Sequence, residues 1–179
     1  KYTSYVSIDD FIDKNNYQAT NLYKNASSSR RQQIRYALRD NIHTEEFNDV
    51  DLFIDFYNRT FLRQNIIVTD KYLDKMSHLI SILLKNSMAK MFITNTSEGN
   101  QGSIAVFSFD KNKSYYLFGA SDPEYRNSPV GTSILWDSFF KLREYNFKLI
   151  DLEGINSPKR GWFKLSFGGS IIPYFQIIK

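Results

Sequence analysis

The stretch that decides the fold runs from residue 115 to residue 136 and reads YYLFGASDPEYRNSPVGTSILW. Its first part, Tyr115–Ala120, is rich in residues that favour strands. A loop containing Asp, Pro and Asn follows, and Ser133–Tyr145 then carries apolar residues at helical spacing. The next predicted strand is Phe147–Leu152. A helix between two strands at this chain length implies a parallel pair joined by a right-handed crossover.

Further β elements flank this stretch on both sides. Met91–Thr94 is a short apolar run, and Gly102–Phe109 is rich in β-forming residues. The turn Lys111–Lys113 makes Gly102–Phe109 a hairpin partner of Tyr115–Ala120. The elements predicted after the crossover helix are a strand, a short helix or turn, and a final strand: Phe147–Leu152, Gly161–Phe167 and Ile171–Ile178.

Three helices precede the strands. The first starts after Ser27 and continues to Arg39. The second is Asp51–Gln64, and the third opens at Thr69 and Asp70. The order of elements predicts an α+β fold (α/β by a looser definition), with a mixed, mostly antiparallel sheet flanked by helices. The apolar residues expected inside these helices and the crossover helix are Ile34, Ala37, Leu38, Phe53, Ile54, Tyr57, Phe61, Leu73, Met76, Leu79, Ile80, Leu83, Leu84, Ile134, Leu135, Phe139 and Leu142.

The composition is typical of one folded domain. The chain has 179 residues, of which 42% are hydrophobic and 16% aromatic, so it can bury a substantial core. We expect a single domain over residues 1–179, with a polar N-terminal extension over residues 1–25. Because the chain starts with Lys1 rather than Met, we expect it to be part of a longer protein.

Charge and cysteine content narrow the functional classes. The net charge of +4 and the pI of about 9.1 suit a phosphate-bearing ligand but are too weak to indicate a nucleic-acid-binding protein. Without Cys, the chain gives no information about an oxidising compartment, and a cytoplasmic location is the default expectation. His43 and His78 lie far apart and have no Cys partners, so we expect no metal site. No apolar run is long enough for a membrane helix, and no signal-peptide pattern is present.

The order of elements from Gly102 to Lys179 resembles that of the GNAT acyltransferase fold, in which a central strand, a loop and a helix hold the donor's pyrophosphate. The resemblance implies that Tyr115–Ala120 and Phe147–Leu152 splay apart and leave a cleft. Fem-type (FemAB-like) members of this superfamily usually carry two such domains, so the resemblance also implies a longer protein with room for a second domain. The segments similar to the Fem-type branch are Tyr116–Ser121, Arg126, Pro129–Trp136, Asp151–Gly154 and Gly161–Gly169.

The loop before the crossover helix is the candidate site for the donor. A helix N-terminus offers free backbone N–H groups and a positive dipole end to a phosphate. The resemblance implies an Arg or Gln and then two glycines here; Gly131 matches the second, but Pro129 replaces the first and lacks an N–H. The alternative interpretation is an ordinary strand-to-helix turn. The candidate donor-binding residues are Arg126, Val130, Gly131, Thr132 and Ser133.

Two carboxylates are candidate catalytic groups. Asp151 and Glu153 share one face of a predicted strand, near its end. Carboxylates there can hold or deprotonate an ammonium nucleophile, because an amine must lose a proton to attack a carbonyl. The alternatives are solvated acids at a strand end, or an acid that caps the following turn.

Lys164 is the third candidate catalytic residue. The resemblance implies that the lysine of the pair Phe163-Lys164 stabilises charge at the reacting group, as a fixed cation does beside an oxyanion. No Tyr lies between Gly154 and Phe167, where many coenzyme-A-dependent relatives place an acid for the leaving thiolate. The alternative is a solvated lysine on a short helix.

Candidate substrate-binding residues come from a basic helix and from aromatic positions. Arg31 and Arg35 are one helical turn apart and can clamp a phosphate together, although a solvated helix face is the competing interpretation. Most Phe and Tyr residues are expected in the core. Three aromatic residues are expected to line a pocket: Tyr116, Trp162 and Phe163.

These features predict an N-acyltransferase that moves an acetyl, acyl or aminoacyl group onto an amine. The resemblance implies acyl-CoA (acetyl-CoA) or aminoacyl-tRNA as donor, with tRNA then a partner. It implies an amino sugar or a bacterial cell-envelope (cell-wall) precursor as acceptor. The alternative is a non-catalytic GNAT-like module that binds a ligand or a partner domain, since fold alone does not fix function.

Overall fold

The computed structural model describes residues 1–177, apart from the side chain of Lys159. The seven strands are β1 (Tyr2–Ser7), β2 (His43–Phe47), β3 (Ala89–Asn95), β4 (Gln101–Phe109), β5 (Ser114–Ser121), β6 (Leu149–Gly154) and β7 (Ser170–Pro173). The six α-helices are α1 (Asn21–Asn25), α2 (Ser28–Arg39), α3 (Val50–Leu62), α4 (Asp70–Lys85), α5 (Val130–Glu144) and α6 (Pro158–Leu165). Two short 3₁₀ helices cover Lys14–Ala19 and Pro123–Tyr125.

All seven strands form one sheet in the order β2-β3-β4-β5-β6-β1-β7. Neighbouring strands are antiparallel except β5 and β6, which run parallel. These two strands pair only at Ser114 with Ile150 and at Tyr115 with Asp151. Beyond Tyr115 they diverge, so the sheet opens into a cleft at the carboxyl end of both strands. The mixed α+β sheet with a splayed central pair is confirmed.

Helices cover both faces of the sheet. Successive side chains of a strand point to opposite faces, and β3 and β4 carry apolar side chains on both. Phe92 and Phe107 point to the face covered by α2 and α5, where Trp136 and Phe139 of α5 complete the core. The opposite face, with Val106, packs against α3 and α4. Each helix therefore buries its apolar stripe, and the four long helices lie close to their predicted ranges.

Two residues of the predicted helical stripes are exposed. Leu38 is 37% exposed and Leu79 is 45% exposed. Both lie on the outer side of their helices, whereas Ala37 and Ile80 beside them are buried. The predicted stripes were one position too wide, since a residue shifted by one along a helix turns about 100° away from its neighbour.

The N-terminal extension contains an inner strand of the sheet. β1 pairs with β6 on one side and with β7 on the other, and Val6 is buried in the core. β2 was also not predicted as a strand; it lies at the opposite edge of the sheet and pairs with β3.

The last two elements differ in extent from their predictions. Pro158 lies at the start of α6, where its fixed φ is compatible with a helix, so this helix begins before Gly161. β7 covers Ser170–Pro173 instead of extending through Ile177, and the predicted end at Ile178 lies outside the described residues. Within residues 1–177, no helix is both long and apolar enough to cross a lipid bilayer.

Candidate active site

Two adjoining cavities occupy the cleft where β5 leaves β6. The first, the aromatic cavity, has a volume of about 360 Å³ and lies against α3 and α6. The second, the arginine cavity, has a volume of about 370 Å³ and extends to the N-terminus of α5. The two cavities share Thr60, Tyr116, Gly119, Arg160 and Phe163. The residues that characterise the aromatic cavity are Tyr57, Phe61, Tyr116, Phe118, Arg160 and Lys164, and those of the arginine cavity are Arg63, Ser121, Arg126, Gly131 and Arg160.

An irregularity in β5 places Tyr116 across the cleft. The register shifts between the pairs Val106–Phe118 and Phe107–Tyr116, so one extra residue stands in β5. The Tyr116 ring packs 5.3 Å from that of Phe107. Its hydroxyl lies over Gly119, where a Cβ atom would overlap it. Burial raises the pKa of Tyr116 to about 12, so this hydroxyl stays protonated at neutral pH.

Helix α6 carries Lys164 into the cleft. Gly161 packs against the carbonyl of Ile155, and a Cβ atom on Gly161 would collide with that oxygen. This close approach brings α6 to the end of β6, where Lys164 Nζ lies 3.3 Å from the carbonyl oxygen of Gly154. Burial lowers the pKa of Lys164, the carboxylate of Glu153 opposes that shift, and the charge of Arg160 adds to it.

The two candidate carboxylates have different environments. Asp151 is buried, accepts hydrogen bonds from the Thr3 hydroxyl and, at 2.9 Å, from the N–H of Glu153, and lies 3.4 Å from Lys113 Nζ. It lines neither cavity. Its contacts tie β1 and the β4–β5 turn to β6. Asp151 therefore supports the strand end rather than facing the cleft.

Glu153 is half-buried and has an unusual backbone conformation. Its φ is 60°, in the left-handed region that residues other than Gly rarely adopt, and the hydrogen bond to Asp151 holds this conformation. Burial raises the pKa of Glu153, and so does the nearby charge of Asp151. The ammonium groups of Lys164 and Lys113 oppose the shift. Glu153 lines neither cavity, but it is near enough to interact with Lys164, so a carboxylate with a raised pKa adjoins the cation of the cleft and is a candidate for proton transfer.

The N-terminus of α5 forms one wall of the arginine cavity. The N–H groups of Thr132 and Ser133 both donate to the carbonyl of Pro129 at 2.9 Å. Among the described residues, the N–H groups of Val130 and Gly131 have no such acceptor. Gly131 is open on its cavity side, because only Ser121 Oγ would lie within 4 Å of an added Cβ. The free donors of this helix are thus Val130 and Gly131.

The side chains of this turn face inward. Thr132 donates to Gln33 Oε1 at 2.7 Å and Ser133 to Asp137 Oδ2 at 3.1 Å, and both are buried. Val130 is also buried and packs over Gly102. Arg126 is the exception: it is exposed and lines the arginine cavity.

The substrate candidates on α2 do not reach the cleft. Arg31 donates to the carbonyl oxygens of Lys24 and Ala26 at 2.9 Å, and Arg35 donates to the Tyr23 hydroxyl at 2.9 Å. These contacts hold both arginines against α1, away from the two cavities.

The aromatic candidates do lie at the site. Tyr116 and Phe163 line both cavities. Trp162 is 63% exposed and lines a smaller cavity, of about 240 Å³, beside Arg30 and Arg126.

Arg30 was not predicted as a site residue. It is 3% exposed, and its guanidinium lies 4.3 Å from the Phe163 ring centroid and 4.5 Å from that of Phe167. Its Nε donates to Ser166 Oγ at 2.9 Å. Burial lowers the pKa of Arg30 to about 10, so it remains charged at neutral pH. The sequence pattern could have indicated that Arg30 is buried, because Arg30 lies one helical turn before the buried Ile34, on the apolar face of α2.

A family model matches most of the chain. The model for the acetyltransferase (GNAT) domain matches residues 28–160, which include β5, β6, α3 and α5 around the cleft and the first residues of α6. The chain belongs to the GNAT acetyltransferase family. No significant match was found among curated protein sequences.

Solved structures share the GNAT fold with this chain. FemX superposes with a TM-score of 0.76 over 95% of this chain, at 16% sequence identity. A GNAT-family acetyltransferase from Staphylococcus aureus Mu50 covers 70% of this chain and 81% of its own, with a TM-score of 0.55 and 21% identity. A predicted acetyltransferase from Clostridium acetobutylicum, crystallised with acetyl-CoA, covers 68% and 88%, with a TM-score of 0.53 and 15% identity. The GNAT domain described here spans 59% of the length of FemX.

The cleft carries groups that can bind a phosphate. Within the described residues, no group of three or more His, Cys, Asp or Glu side chains is arranged to hold a metal ion. The free N–H groups of Val130 and Gly131 and the exposed guanidinium of Arg126 fit a phosphate-bearing group.

Gly161 is expected to be essential for the position of Lys164. In Gly161→Ala the added Cβ meets the Ile155 carbonyl, so α6 must move away from β6. We expect a loss of about 1–3 kcal/mol in the free energy of unfolding, measured by urea denaturation. Gly99→Ala, in the β3–β4 turn where a Cβ meets nothing within 4 Å, carries only the penalty of its positive φ. A Gly161→Ala protein less affected than Gly99→Ala would contradict the close packing of α6.

Proposed function

We propose that this GNAT domain is an N-acyltransferase that takes an acyl group from acyl-CoA, in the simplest case acetyl-CoA, and transfers it to a primary amine. The observation that carries the proposal is the cleft between β5 and β6. One end of this cleft is formed by the N-terminus of α5 and Arg126. The other end holds Lys164, with Glu153 beside it on β6. Phosphate-binding groups and the ammonium of Lys164 thus border one continuous opening, and the carboxylate of Glu153 is near enough to interact with Lys164.

The donor end suits a pyrophosphate. Val130 and Gly131 supply free N–H groups at a helix N-terminus, and Arg126 supplies an exposed guanidinium. Bound acetyl-CoA in the Clostridium acetobutylicum neighbour supports a coenzyme A donor. Pro129 takes one N–H away from this loop, but two remain. The edge of β5 beyond Tyr115, which β6 leaves unpaired, can hydrogen-bond to the amide groups of the donor's arm.

The reacting end suits amine attack on a thioester. The neutral amine nitrogen bonds to the carbonyl carbon, and Glu153 takes the proton that the nitrogen loses. The carbonyl oxygen becomes negative, and the ammonium of Lys164 stabilises it. When the carbon–sulfur bond breaks, the thiolate of coenzyme A leaves and takes up the proton from Glu153. At the end of the reaction Glu153 is again a carboxylate and Lys164 is again an ammonium without an oxyanion beside it, so no further reactant is needed.

Two finer assignments belong to the same proposal. The acceptor is an amino sugar or the amino group of a cell-envelope precursor, and an aminoacyl-tRNA is the second candidate donor. The similarity of the fold to FemX supports this choice, together with the segments Asp151–Gly154 and Gly161–Gly169. In this view the domain is part of a longer cytoplasmic protein.

A non-catalytic GNAT-like binding module is the second candidate function. The observation that favours it is Pro129, because a donor loop that has lost a glycine and an N–H is typical of a domain that has lost catalysis. Such a module would bind ligands in the same cleft without turnover.

Calorimetry with acetyl-CoA tests the donor assignment. Gly131→Leu is expected to abolish binding, because the new side chain fills the space in front of the free N–H groups of α5. Gly131→Ala is the matched control: its Cβ makes only an ordinary 3.7 Å contact with Ser121 Oγ, so binding is expected to persist. Both variants are expected to keep the wild-type circular dichroism spectrum.

The outcome separates the candidate functions. Wild-type protein that binds acetyl-CoA and acetylates an amine supports the acyltransferase. Binding without transfer supports the non-catalytic module. Absence of binding in the intact protein contradicts coenzyme A as donor and favours aminoacyl-tRNA or the binding module.

A further inference from the structure

The arginines of the chain divide into two groups. Six of the nine are engaged by the protein: Arg30, Arg31, Arg35, Arg39, Arg59 and Arg143 have hydrogen-bond or ion-pair partners. Arg63, Arg126 and Arg160 have no such partner within residues 1–177, and all three line the arginine cavity. A guanidinium is always charged and presents several donors, so three unengaged ones at one cavity indicate anionic ligand groups.

Arg160 lies apart from the donor loop. Arg126 belongs to the turn before α5, whereas Arg160 projects from α6 and its Cζ lies 5.4 Å from the ring centroid of Phe61 on α3. Arg160 also lines the aromatic cavity, which Arg126 does not reach. Lys164 follows one helical turn later, on the same side of α6. Arg160 therefore stands between the donor end and the reacting end of the cleft.

The charged side chains that line the aromatic cavity are all positive among the described residues. Two cations, Arg160 and Lys164, line it together with aromatic and neutral side chains, and no carboxylate of the described residues is among them. In the arginine cavity the one lining carboxylate of the described residues is Asp122, which is already paired with Arg59. A purely cationic amine would enter this positive region unfavourably.

We propose that the acceptor is an amine that also carries an anionic group, a phosphate or a carboxylate, and that Arg160 binds this group beside the ring of Phe61. The proposal rests on the acyltransferase function above and specifies its acceptor. One helical turn separates Arg160 from Lys164, so their Cβ atoms lie about 5–6 Å apart and both cations can act on one small acceptor. The positive surroundings also lower the pKa of the bound ammonium, which favours the neutral, nucleophilic amine.

Matched pairs of amines test the proposal with acetyl-CoA as donor and release of the coenzyme A thiol as readout. The phosphate pair is glucosamine 6-phosphate and glucosamine; the carboxylate pair is 5-aminopentanoate and pentylamine. For the wild-type protein we expect kcat/KM to be at least about tenfold higher for one or both anionic members than for their neutral counterparts. Which pair shows the larger preference identifies the anionic group.

Arg160→Gln is expected to abolish this preference, because kcat/KM falls more for the anionic amines than for the neutral ones, while the KM for acetyl-CoA stays within about twofold of wild type. The control is Arg39→Gln, which removes an exposed arginine of α2 paired with Asp40 and should change nothing. Calorimetric titration of the four amines into the protein saturated with coenzyme A gives the same comparison without turnover.

Each outcome decides the question. Equal treatment of anionic and neutral amines by the wild-type protein would overturn the proposal while the acyltransferase assignment stands. A raised KM for acetyl-CoA in Arg160→Gln would assign Arg160 to the donor and overturn it as well. Preferential binding of an anionic amine that depends on Arg160, without any transfer, would support the anion site and contradict the acyltransferase.

Discussion

Replacing Lys164 by Met is expected to lower kcat by about a hundredfold or more, because a fixed cation facing an oxyanion is worth roughly 3–4 kcal/mol in the transition state. Met keeps the length of the side chain and removes only its charge. Affinity for substrates should change less, since the charge acts mainly on the developing oxyanion. Steady-state kinetics with the acceptor found to be active measures both quantities.

The thermal stability of the Lys164→Met protein is a second readout. Burial lowers the pKa of Lys164, which means that the folded state disfavours the charged form. Removing the charge should therefore leave Tm unchanged or raise it slightly at neutral pH. Lys75→Met, at an exposed position of α4, is the matched control and should keep both kcat and Tm. Near-normal turnover in Lys164→Met would refute its catalytic role, and a large fall in Tm would make it a structural residue.

Replacing Glu153 by Gln is expected to lower kcat by about 10²–10⁴-fold, the usual contribution of a general base. In the wild-type protein, activity should rise with pH as Glu153 loses its proton, with the midpoint above the ordinary range because burial raises the pKa of this carboxyl. The Glu153→Gln protein should lack this acid limb. Glu144→Gln, at an exposed position of α5, is the control. An unchanged pH profile in Glu153→Gln would show that another group accepts the proton.

The same substitution has a defined effect on stability. Because the pKa of Glu153 is higher in the folded state, this carboxyl contributes stability at low pH that is lost as pH rises through its folded pKa. Gln carries no charge, so its contribution does not change with pH. The difference in Tm between Glu153→Gln and wild type should thus be more favourable at pH 7.5 than at pH 4. A solvated, non-catalytic carboxylate at this position would show neither the fall in kcat nor the pH-dependent difference in Tm.

The elements that pack on both faces could be predicted from the sequence. Tyr115–Ala120 and the helix after it stand out because buried strands and amphipathic helices have strong periodic patterns. β2 has no such pattern: Glu45 and Glu46 are exposed at the edge of the sheet, and only pairing with β3 makes this segment a strand. β1 was missed for a similar reason, since its partners are at the other end of the chain.

Residues of the candidate site could be predicted only where they lie in a segment with a recognisable sequence motif. Gly131 and Lys164 lie in segments similar to the Fem-type branch, and both line the cleft. Arg63 directly follows α3 and Arg160 belongs to α6. These two helices meet over the cleft only after folding, so no spacing in the sequence relates the two arginines. On α2, the buried stripe explains why Arg30 turns inward while its neighbour Arg31 binds carbonyls of the preceding helix and turn.

The inner position of β1 has a consequence for synthesis of the chain on the ribosome. Tyr2–Ser7 is made long before its partners Leu149–Gly154 and Ser170–Pro173. At about 5–20 residues per second, the roughly 140 residues between β1 and β6 take on the order of ten seconds to emerge. During that time β2–β5 can assemble on α3 and α4, whereas β1 has no strand to pair with. The wall of the cleft that carries Glu153 is therefore expected to form last, and a nascent chain would bind its ligands only when translation of the domain is nearly complete.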